Sequence, residues 1–198
     1  MPMTARHRHT RALLFALTAS LCMASGAVVA QEQEQEPGFV IRTAFTDLVE
    51  GTHRLYADID YGLGDSALDA LENGVPLTFE VEVLVVKIRG WWWDDTVAEI
   101  NQQYELVYHP LPDRFVVRNL NTGDQTSYVS FRSAATELGR ISEMPIIEDA
   151  ELDQGDEYQV RLRVRLVVEA FSGPVRWVAM LFPRWRLVSE WYAWTLRS

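Results

Sequence analysis

Apolar and polar residues alternate with a period of two through most of this chain. In residues 53–61, Leu55, Ala57, Ile59 and Tyr61 alternate with Arg54, Tyr56, Asp58 and Asp60. That is the pattern of a strand with one buried face. Residues 77–89 repeat it, with Phe79, Val81, Val83 and Val85 on one face and Glu80 and Glu82 opening the other. In residues 96–109, Ala98, Ile100, Tyr104, Leu106 and Tyr108 stand against Glu99, Asn101, Gln103 and Glu105. The stretch DDTVAEINQQ also offers a capping Asp and good helix formers. The alternation carries straight through it, so the pattern predicts one long strand. The clearest case is YQVRLRVRL, where Tyr158, Val160, Leu162, Val164 and Leu166 face inward and Arg161, Arg163 and Arg165 face outward.

Shorter strands are predicted over 39–48, 114–120 and 125–129. Turn signals stand at Glu50-Gly51, at Pro110 to Asp113 and at Asn121-Thr122-Gly123-Asp124. A last strand over 184–196 puts Trp185, Leu187 and Trp191 on one face and Tyr192 and Trp194 on the other. Three short helices interrupt the alternation. One covers 66–72, with Asp65 as cap, Leu68 and Leu71 inward, and Asn73-Gly74 as stop. One covers 131–138, capped by Ser130 and stopped by Gly139. One covers 174–182, opened by Pro174 and closed by Pro183. Residues 144–153 show no period and read as irregular. The sum is a mainly β, antiparallel, sandwich-like single domain over 39–198, with two packed layers and about three short helices.

The first 38 residues follow other rules. Arg6, Arg8 and Arg11 form a basic start, LLFALTASLCM an apolar core, and Val28-Val29-Ala30 a small-residue end. This is the make-up of a signal peptide cleaved near Ala30, and no later run approaches membrane-spanning length. Residues 31–38, QEQEQEPG, are an acidic tether with nothing to bury. The one cysteine, Cys22, lies in the leader, so the exported chain forms no disulfide and relies on its core. Loss of the three leader arginines moves the formal charge from −10 to −13. Such a chain repels phosphate backbones, which excludes nucleic acid as a partner class.

Candidate chemistry is sparse. Beyond the leader only His53, in a turn, and His109, at a strand end before Pro110, remain. Neither adjoins a nucleophile motif, and both read as surface or edge residues. Asp58 and Asp60 share a strand face with no metal-binding loop around them, so no metal and no cofactor is expected. The row of Arg161, Arg163 and Arg165 would suit an acidic partner. The plainer reading is cross-strand pairing with Glu80 and Glu82, which alternate in the same way.

Seven tryptophans are many for this length. Trp91, Trp92 and Trp93 lie in GWWWDD, the tip between two long strands. Neighbours on extended backbone point to opposite faces, so at least one indole is expected to be exposed there, where it can bind a partner. Trp185 and Trp191 are expected in the core. With Trp177 they are also the candidates for lining a small-molecule pocket.

Three elements carry a resemblance. They are LDALENGVPLTFEVEV (68–83), WWWDDTVAEINQQYELVYHPL (91–111) and the Trp-rich run from Tyr158 to Leu196. With the leader, they resemble DUF family 4390, exported proteobacterial proteins of unknown function. The chain departs from that pattern at Val167-Val168-Glu169, where an Asp is expected, and at Ser172-Gly173-Pro174. The resemblance implies an envelope protein with no assigned catalytic residue, associated with a membrane-bound sensor kinase. The resulting expectation is a periplasmic, non-enzymatic domain that binds an envelope protein. The alternatives are a small-ligand or lipid-binding sandwich and a hydrolase using His109.

Overall fold

The computed structural model describes residues 38–90, 93–167 and 186–196. Residues 1–37, the helix expected over 174–182, and Trp91, Trp92, Trp177 and Trp185 lie outside the described residues. In chain order the elements are β1 (Gly38–Val49), β2 (Thr52–Gly62), α1 (Asp65–Glu72), β3 (Leu77–Lys87), β4 (Asp95–His109), β5 (Arg114–Asn119) and β6 (Gln125–Tyr128). They continue with α2 (Phe131–Leu138), β7 (Arg140–Glu148), a 3-10 turn (Asp149–Glu151), β8 (Tyr158–Leu166) and β9 (Tyr192–Leu196).

The strands form two antiparallel sheets, ordered β1-β2-β7 and β6-β5-β4-β3-β8-β9. Residues 95–109 are one strand, so the alternation there outweighs the helix-forming composition. β1 turns into β2 through Glu50 and Gly51, whose φ values are +52° and +84°. Two central residues with positive φ match the twist of a tight hairpin.

β7 corrects the expectation of an irregular stretch over 144–153 for residues 144–148, while residues 149–153 lie outside the strands. Its ladder with β2 shifts register twice, between His53 and Arg54 and between Leu55 and Ala57. Glu143 has φ +56° and Pro145 has no N–H to donate. Bulges of this kind break the period of two while keeping the pairing, so the strand is visible only against its neighbour. At α1 the cap is Gly64, without a side-chain hydrogen bond. Asp65, expected to be the cap, is the first helical residue, and its carboxylate favours the helix N-terminus through the dipole. Ala67 and Leu71 are buried there, and Leu68 is half-buried. α2 matches expectation, with the Ser133 N–H donating to Ser130 Oγ at 3.2 Å.

The last strand is shorter than predicted, and this moves two indoles. β9 begins only at Tyr192, after Val188 makes an isolated bridge to Arg165. Residues 189–191 lie outside the strand, so the alternation restarts. Tyr192, Trp194 and Leu196 pair with Leu162, Val160 and Tyr158, which are core positions. Trp194 packs against the core and donates Nε1–H to Thr46 Oγ1 at 3.2 Å. Trp191, expected inside with Leu187, is instead exposed, while Leu187 is buried.

One apolar cluster draws on both sheets and both helices. Phe79 of β3 is fully buried at the junction, with ring centroids 5.8 Å from Phe39 and 5.1 Å from Tyr61, both edge-on. These contacts join the two sheets directly.

Candidate functional site

The outer face of the six-stranded sheet is built by register. Antiparallel pairing of β3 with β8 sets Glu80 opposite Arg165, Glu82 opposite Arg163 and Leu84 opposite Arg161. Arg165 holds Glu80 Oε1 through Nη2 at 2.6 Å and Nε at 2.9 Å. Arg163 holds Glu82 Oε2 through Nη2 at 2.5 Å and Nε at 3.1 Å. Arg161 faces a leucine across the ladder. It reaches instead to Asp94 Oδ2 at 2.5 Å and donates Nε–H to Gln159 Oε1 at 2.8 Å. The basic row is therefore an ion-paired ladder, as its alternation against Glu80 and Glu82 predicted. Its third rung ties the end of GWWWDD to the sheet.

Glu80 is the least exposed carboxylate of the ladder, at 6 %. Burial alone would raise its pKa. Hydrogen bonds from Gln103 and Arg165, with the charges of Arg165 and Arg163, more than reverse this and hold it below the ordinary value of 4.5. A depressed carboxylate adds stability above its unfolded pKa and loses it as pH falls through the folded one. Arg165→Leu removes the largest cation and leaves Glu80 with Gln103. Its acid unfolding midpoint should move to higher pH, and its stability at neutral pH should fall by about 1–3 kcal/mol, less than for a fully buried pair because Arg165 is half exposed. An acid-unfolding curve superimposable on that of the parent would refute this role.

Two indoles adjoin the ladder. The Arg163 guanidinium lies 4.3 Å from the centroid of the Trp191 ring, a cation–π contact on the outer face. This stack was not legible in the sequence, because continuous alternation assigned Trp191 to the core. Trp93 is 93 % exposed and immediately precedes the anchored Asp94. The expectation that GWWWDD shows an indole to solvent thus holds at Trp93.

His53 corrects another expectation. It is not a surface residue but 1 % exposed, in phase with inward-facing Leu55, and its Nε2 lies 3.0 Å from Asp149 Oδ1. The pair fastens the 3-10 turn to the start of β2, and so buried a ring has no access to a substrate. His109 is exposed at the end of β4. Asp60 pairs with Arg42. Among the described residues, no group of three or more His, Cys, Asp or Glu side chains is arranged to hold a metal.

Two antiparallel sheets on a shared core, with an ion-paired face bearing indoles, define a mainly β domain. The chain matches the family model described as Domain of unknown function (DUF4390) over residues 36–195, and it belongs to that family. Comparison with curated proteins and with solved structures gives no match.

Proposed function

We propose that this chain is an exported, non-catalytic domain of the periplasm that docks an envelope protein, such as the periplasmic region of a sensor kinase, through its β3–β4 tip. The observation that carries the reading is Trp93. A free indole presents on the order of 200 Å² of largely apolar surface, and tryptophan is the residue type most enriched where protein interfaces concentrate their binding energy. The Arg161–Asp94 pair limits the freedom of the residue beside it, which lowers the entropy lost on docking. Asp94 and Asp95 flank the indole with charge, which disfavours insertion into a lipid layer.

The contact of both sheets with one core favours a sandwich-like arrangement, a rigid platform for such a tip. The alternative of a pocket lined by Trp177, Trp185 and Trp191 is weakened by Trp191, which stands on the outer face. A hydrolase built on His109 has no partnering group among the described residues to recommend it.

A photo-crosslinking residue at position 93 of the exported chain should yield one dominant covalent adduct with an envelope protein. Trp93→Ala should weaken binding of that protein by about 30-fold or more, the size of an interface hot spot, and leave the thermal midpoint nearly unchanged because the ring buries nothing in the free domain. A folded, exported chain that gives no adduct from position 93 would sink the proposal.

A further inference from the structure

The core-side face of the six-stranded sheet changes character at one end. Across β3 and β8 that face is wholly apolar, with Val81, Val83, Val160 and Leu162 buried. Pairing carries the same face outward through β4, β5 and β6. Tyr104 lies opposite Asn119, Leu106 opposite Val117, and Val117 opposite Thr126. Polar side chains thus take core-side positions where the sheet runs out from under the core. The end of α2 and the start of β7 border them with Glu137, Leu138 and Arg140, bounding a half-open cleft of about 180 Å³. This is below the ~300–1,000 Å³ of sites for drug-sized ligands and suits a single small ring.

The lining has a definite chemistry. Val117 and Leu138 supply apolar surface to the lining, and Tyr104 and Tyr128 supply aromatic rings. Burial and then the charge of Glu137 raise the pKa of Tyr128 against the lowering effect of a hydrogen bond with the Thr126 hydroxyl, while burial raises that of Tyr104, so both phenols stay protonated and can donate. Asn119 gives its side-chain oxygen to the turn, accepting from the N–H groups of Asn121 at 2.9 Å and Thr122 at 3.2 Å. The group it can still offer is its NH₂. The Asp124 carboxylate accepts from the Thr122 hydroxyl at 2.7 Å and keeps capacity for further donors. Arg140 is neutralised by Glu137 at 3.1 Å. Behind the lining, next to Tyr104, the Tyr61 hydroxyl is buried and has no hydrogen-bond partner among the described residues.

We infer that this cleft is a binding site for one ring of a neutral carbohydrate. Aromatic faces pack the C–H face of a sugar, and hydroxyls, an amide and a carboxylate together match its alternating donors and acceptors. With Arg140 and Glu137 paired to each other, the charge left in the lining is the Asp124 carboxylate, which an anion would meet. The site lies on the core-side face of the sheet, apart from the tip and the arginine ladder, and its test is independent of them.

The test is saturation-transfer NMR on the exported chain with glucose, galactose, mannose and N-acetylglucosamine as separate probes, and tetramethylammonium as a cationic one. At least one sugar should receive saturation, with an affinity in the millimolar range. Thr126→Val and Tyr128→Phe each remove one hydroxyl with little change of shape. Each should weaken that binding by about threefold to tenfold, the value of one hydrogen bond, with the thermal transition preserved. Trp93→Ala should leave it intact. No transfer to any sugar overturns the inference. So does transfer that both cleft variants leave unchanged, binding of tetramethylammonium alone, or loss of sugar binding in Trp93→Ala, which would place the sugar at the tip.

Discussion

Phe79→Ala should lower the unfolding free energy by about 3–5 kcal/mol, the usual cost of emptying a buried aromatic site. The whole stability of a domain this size is about 5–15 kcal/mol, so the loss takes a large part of it. The reason lies in position as well as size. Phe79 has no exposed surface, and its ring meets Phe39 of β1 and Tyr61 of β2 from the opposite sheet. Truncation leaves a void between two stiff sheets, neither of which can collapse into it without breaking its own ladder. Urea unfolding should show a lower midpoint at an unchanged slope. The thermal midpoint should fall by roughly 10 °C or more. A loss below about 1 kcal/mol would mean that the sheets repack freely and that this contact does not hold them together.

Gly139→Ala should be nearly as costly, at about 3 kcal/mol or more, although it adds one methyl group. A β-carbon at this position would lie 2.0 Å from the carbonyl oxygen of Ile59 and 3.1 Å from its carbon. Both are backbone atoms of a central strand. The contact is close because the Ile59 N–H donates to the Gly139 carbonyl at 2.9 Å, joining the end of α2 to β2. The added methyl group forces α2 away from the strand and breaks that bond, which exceeds ordinary overpacking. Amide exchange should show the effect locally, with Ile59 and the last turn of α2 losing protection before the six-stranded sheet does. Since Glu137, Leu138 and Arg140 flank this glycine, the cleft beneath them should lose its shape as well. A variant as stable as the parent would show that the chain passes β2 with room to spare.

Gly139 also illustrates how far the sequence could be read. As the residue after a helical pattern, it was legible as a stop. In the structure its φ is −77°, open to any residue, so the glycine is not there to turn the chain. It is there because another backbone passes within van der Waals distance, which no local pattern encodes. The arginine ladder was more legible. Two strands with complementary alternating charge have few other ways to satisfy themselves, and Glu80–Arg165 and Glu82–Arg163 form as that complementarity requires. The third rung was not legible, since Arg161 pairs with Asp94 only because register sets Leu84 across from it. Trp191 and His53 both stand where a strand begins. Trp191 departs from the expected core position because the alternation restarts at β9, and the parity of a strand is set by where its pairing starts. His53 is buried because β2 already begins at Thr52, which puts it inside the strand and in phase with Leu55 rather than in a turn.

The kind of protein this is can be read from the local pattern of the chain. Its alternation specified the long strands, the inward-facing sets of β2, β3 and β8, the hairpin turns and the capped helix α2. Each of these depends on neighbours within a few residues, through the period of the backbone and the conformational needs of turns and caps. Long-range packing sets the rest: β7 pairs with β2 through two register shifts, Phe79 joins the sheets, Trp191 lies over Arg163, and β6 and α2 border a polar cleft. These features rest on residues brought together from distant parts of the chain. Their positions follow from long-range register and from which surfaces the core leaves uncovered, and a periodic pattern carries neither.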